Sequence, residues 1–73
     1  MKYTVSIRFV LNGEFSHSED YDVEVPDNTP EDDPMDALMD AVRPILQDEF
    51  EGDDNWEDGN YNWTLYDYEK KSN

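Results

Sequence analysis

The residues in this chain that could do chemistry are carboxylates. Eighteen acidic residues lie between Glu14 and Asp58, and Arg43 is the one base among them. Three spacings recur. Asp20, Asp22 and Glu24 repeat every second residue, the period of one strand face. Asp33, Asp36 and Asp40 repeat at three and four residues, the period of one helix face. Asp32, Asp53, Asp54, Glu57 and Asp58 belong to two acidic runs, residues 26–33 and 51–60. Carboxylates so arranged can hold a cation, move a proton or face a basic surface.

The first two uses fail on pattern. A calcium loop of the EF-hand type needs glycine at its sixth position and glutamate at its twelfth. Counted from Asp53 the sixth residue is Asp58; counted from Asp54 the glycine fits, but the twelfth residue is Leu65. Paired catalytic carboxylates need a deep cleft and one raised pKa, which a chain of 73 residues has little room to build. There is no cysteine and one histidine, His17. With no second ligand for it, His17 reads as a packing residue. No catalytic residue, resident metal or cofactor is therefore expected.

The third use agrees with the charge. Twenty acids against five bases give a net charge of -15. Such a chain does not bind nucleic acid directly, because phosphates demand Lys and Arg, nor does it dock on anionic membranes. Its apolar residues, 36% of the chain with 14% aromatic, are too many and too regularly placed for a disordered segment.

The elements that must position the acids follow from that pattern. Residues 2–11 alternate, with Tyr3, Val5, Ile7, Phe9 and Leu11 on one face. Asn12-Gly13 predicts a type I′ turn into a second strand over 14–25. There Phe15, His17, Glu19, Tyr21, Val23 and Val25 share the inner side, and Asp20, Asp22 and Glu24 the outer. Asp33 as N-cap and Pro34 at the first position predict a helix over 34–50. Its stripe is Leu38, Ala41, Val42, Ile45 and Leu46, and Pro44 predicts a kink. The glycines and asparagines of 51–60 argue against regular structure there. A third strand spans 61–69, with Tyr61, Trp63 and Leu65 on one face and Asn62, Thr64, Tyr66 and Tyr68 on the other. The tail beyond it is expected to fray. The expectation is one α+β domain over 1–73, ordered β-β-α-β. Its three-stranded antiparallel sheet has order 3-1-2, and one kinked helix packs on one face. The interrupted first strand is unlike a secretory signal, and no run approaches a membrane span.

Same-face residues on a strand repeat at about 6.7 Å, and Asp36 and Asp40 rise about 6 Å along a helix. Rows of this kind imitate rows of phosphates. In size, charge, absence of cysteine and α+β pattern, the chain resembles the class of small acidic phage-encoded inhibitors. That class includes uracil-DNA glycosylase inhibitors, anti-restriction proteins, anti-CRISPR proteins and inhibitors of host nucleoid proteins. The resemblance is one of size and charge, with no motif behind it, so no family residue is carried over. It implies a DNA mimic that binds the basic, DNA-binding surface of a host protein in the cytoplasm of an infected bacterium. Trp56 is the aromatic candidate for an anchor among these acids; packing of its loop on the sheet edge is the competing reading. The same acids would also serve a module for another basic protein, or a generic halophilic domain with charge spread over its whole surface. Nothing in the pattern favours a monomer over a homodimer.

Overall fold

Asn12 and Gly13 both take positive φ, 52° and 81°, the signature of a type I′ turn whose twist matches the strands it joins. A computed structural model of the chain, which describes residues 1–71, places that turn between β1 (Lys2–Leu11) and β2 (Glu14–Glu24). The remaining elements are α1 (Met35–Glu49), α2 (Asp54–Glu57) and β3 (Tyr61–Lys70). Both neighbours pair antiparallel with β1, in the order β2-β1-β3. This is the expected α+β sheet with its most apolar strand in the centre.

One face of β1 supplies the core. Tyr3, Val5, Ile7 and Phe9 are buried against Leu38, Val42 and Leu46 of α1, with Val23, Val25 and Leu65 around them. Each such side chain contributes roughly 1.5–3 kcal/mol by leaving water. α1 therefore holds to the sheet by a narrow stripe; Ile45, expected within it, is 37% exposed. No helix is long and apolar enough to cross a membrane among the described residues.

Three local expectations differ from the structure. α1 starts one residue late: Pro34 is the N-cap, Leu38 donates to its carbonyl at 2.9 Å, and Asp33 makes no cap bond. The Pro34 ring is fully buried, so packing rather than capping fixes the start. α1 is continuous through Pro44, as the unbroken phase of its stripe requires. The segment 51–60 contains α2, because Asp53 accepts hydrogen bonds from the backbone N–H of Asn55 (2.9 Å) and Trp56 (3.2 Å). Gly59, at φ 78°, ends that turn. At the tail, Lys70 belongs to β3 and Lys71 donates its backbone N–H to the Lys2 carbonyl at 2.9 Å; the rest of the tail lies outside the described residues.

Two bulges change which side chains share a face. Phe9 faces His17 but Val10 faces Phe15, leaving Ser16 as an extra residue. Phe15 is thereby turned to the open face, 58% exposed, beneath the Arg8 guanidinium at 5.1 Å. Similarly Ile7 faces Leu65 but Ser6 faces Asp67, so Tyr66 is extra. A bulge shifts the alternation by one. Tyr68 consequently joins the core side, edge-on to Tyr3 at 6.1 Å, while Asp67 and Glu69 move to the open face.

Candidate functional site

The open face of the sheet carries Asp20, Asp22 and Glu24 as an exposed row, opposite Ser6, Thr4 and Lys2. Two of the three are held by their neighbours. The Ser6 hydroxyl donates to Asp20 Oδ1 at 2.7 Å, and the Thr4 hydroxyl donates to Asp22 Oδ1 at 2.9 Å. Lys71 Nζ also reaches Asp22, at 3.2 Å. The Thr4 hydrogen bond and then Lys71 lower the Asp22 pKa from its ordinary value. Hydrogen bonds from β1 thus hold the Asp20 and Asp22 carboxylates in place, and Lys71 already lies against Asp22.

Asp67 and Glu69, absent from the sequence-based site, extend this face from β3. The signal was the adjacent apolar pair Leu65-Tyr66, which breaks strict alternation. The same face also gathers Lys2, Arg8 and Lys71, three of the five bases. At its Glu24 end, Lys2, Asp22, Val23, Glu24 and Lys71 line one shallow depression of balanced charge.

The helix and loop side is different. The other fifteen acids of the twenty lie off the open face, with Arg43 and Lys70 the only side-chain bases among them. Asp32 and Asp33 are exposed in the turn before α1, and Asp36 and Asp40 are exposed along it. Arg43 pairs with Asp40 at 3.2 Å and lies 5.9 Å from the Trp63 ring centre. Lys70 pairs with Glu31, lowering the carboxyl and raising the amine. The N-terminal ammonium pairs with Asp27 at 3.1 Å. Among the described residues these pairs and Lys71–Asp22 are the ion pairs present, so most of the acid is uncompensated.

The expected helical row is therefore shorter than its spacing suggested. Asp36 and Asp40 share it, and Asp33 stands in the preceding turn. At the other end, Asp54, Glu57 and Asp58 are exposed around α2, while the Asp53 carboxylate is engaged as its cap. Trp56 is half-buried and stacks on Phe50, ring centres 4.7 Å apart and 9° from parallel, with Tyr61 at 6.2 Å. That contact fits the packing reading of Trp56. His17 likewise stacks on Phe9 at 4.7 Å.

The Tyr21 hydroxyl bridges β2 and α1, 2.6 Å from Glu19 Oε2 and 2.5 Å from Glu49 Oε2. Burial first, then these two carboxylates, push its pKa well above the tyrosine range. The described residues contain no cluster of metal-ligating side chains. No family model, curated protein or solved structure matches the chain.

Proposed function

We propose that the protein is an acidic DNA mimic that occupies the basic nucleic-acid-binding surface of a host protein and blocks it. The observation that carries this reading is the partition of charge. One side, from Asp32 and Asp33 along Asp36 and Asp40 to Asp54, Glu57 and Asp58, is almost devoid of bases, while the open face collects most of them. Charge serving solubility alone would have no reason to be segregated. The long dimension of the fold, 36 Å, is close to the roughly 34–36 Å of one B-DNA turn. The setting this implies is the cytoplasm of a bacterium, with the inhibitor carried by a phage.

The test is charge reversal at Asp33, Asp36 and Asp40 together. The triple Lys variant, once shown to fold, should associate with its basic partner about tenfold more slowly or worse, because opposite fields steer encounter. Reversal of Glu14, Asp67 and Glu69 to Lys, all on strands away from α1, is the charge-matched control. Should the control lose as much, net charge is responsible. The same acids would then make a plain binder of another basic protein.

A further inference from the structure

β2 is an edge strand, and the structure shows which of its backbone groups are left over. Met1 donates to the Val25 carbonyl at 2.7 Å and Val25 donates to the Met1 carbonyl at 2.9 Å. That reciprocal pair sets the phase of the ladder. In an antiparallel pair, bonded residues alternate with residues whose N–H and C=O point away from the neighbour. Val23, Tyr21, Glu19 and His17 therefore bond inward to β1. Glu24, Asp22, Asp20 and Ser18 point their backbone groups outward, and β2 has no second pairing partner among the described residues. The three acids of the open-face row are thus also residues with outward backbone groups.

The opposite edge is less suited to pairing. β3 is interrupted by the bulge at Tyr66, and a bulge bends the strand and breaks a regular ladder. On β2 the bulge at Ser16 leaves the stretch from Ser18 to Glu24 regular. A second copy of the chain is disfavoured there, because self-pairing would bring two acidic rows together.

We infer that the outer edge of β2 receives an extended strand of a basic partner, with Lys or Arg at every second position. Backbone bonds to Ser18, Asp20, Asp22 and Glu24 give the pairing. Side chains opposite Asp20, Asp22 and Glu24 emerge on the same face, where Ser6 and Thr4 hold two of the carboxylates and an incoming cation takes the place of Lys71 at Asp22. This rests on the reading that the partner is a basic protein, and not on that partner's binding DNA.

The probe is a synthetic peptide with Lys at every second position and Thr between, added to the whole protein labelled with nitrogen-15. At saturation the Ser18, Asp20, Asp22 and Glu24 amides should exchange about tenfold more slowly. The peptide methylated at the backbone nitrogens of its lysine residues keeps its charge but cannot donate to the ladder, and should lose that protection. Asp20→Asn, Asp22→Asn and Glu24→Gln together should weaken the unmodified peptide about tenfold. Unchanged exchange at these amides, or equal affinity for the methylated peptide, would overturn the edge. Either result leaves the inhibitor reading intact, because charge reversal on α1 tests that reading independently.

Discussion

Asp22 and Tyr21 are neighbours in sequence with opposite titration behaviour. Asp22 is an exposed carboxyl whose pKa is lowered by the Thr4 hydroxyl and Lys71. Its contribution to folding is present above the ordinary carboxyl pKa and disappears as pH falls through the lowered value. Thr4→Val removes the larger cause, so the Asp22 pKa should rise toward its ordinary value in an NMR titration. Tyr21 has the opposite sign. Its raised pKa means the folded state holds the phenol proton more tightly than the unfolded state. Its contribution is complete below pH 10 and falls as the unfolded phenol ionises above it. Tyr21→Phe should therefore flatten part of the alkaline loss of stability between about pH 10 and 11 in denaturant melts. An unchanged alkaline slope would mean that the hydroxyl does not bridge Glu19 and Glu49 in solution.

At the scale of elements, the short helix α2 rests on one cap and one stack. Asp53→Ala should cost about 1 kcal/mol, the usual value of a side-chain N-cap. Trp56→Ala should cost about 2 kcal/mol, below the figure for a fully buried aromatic because part of the side chain stays in water. Urea melts of the two variants check both. The hairpin, the core face of β1 and the helical stripe were legible in the sequence, because alternation and the Asn12-Gly13 turn leave one register that buries Tyr3, Val5, Ile7 and Phe9. The bulges were not. At Phe15 and Tyr68 the strand signal is an aromatic at a plausible parity; the Leu65-Tyr66 pair marks a break in alternation, but pairing with β1 is what makes Ser16 and Tyr66 the extra residues. For the same reason Asp20, Asp22 and Glu24 were legible as a row, whereas Asp67 and Glu69 were not. Asp33 misled because an acid before Pro looks like a cap, while the buried Pro34 ring moves the start of α1 by one residue. α2 was within reach of the sequence: Asp53 as a cap and Gly59 as a stop frame it, and the glycines and asparagines obscured both.

For the whole molecule, the field dominates. A net charge of -15 on 73 residues with few ion pairs opposes the compact state. Stability of a chain this size is roughly 4–11 kcal/mol, so screening should matter. The melting temperature should rise as salt increases from low ionic strength to about 0.15 M, where the screening length has fallen to about 8 Å. A melt indifferent to salt would show that the acids are compensated in solution. The same field makes function testable before the partner is named. The most direct measurement is to retain basic proteins from a bacterial lysate on the immobilised chain at low salt, then titrate DNA binding by the retained protein with the free chain. Competitive loss of DNA binding is expected, weakening steeply with salt and reduced by charge reversal at Asp33, Asp36 and Asp40. A retained protein whose DNA affinity is unchanged at saturation with the chain would contradict it.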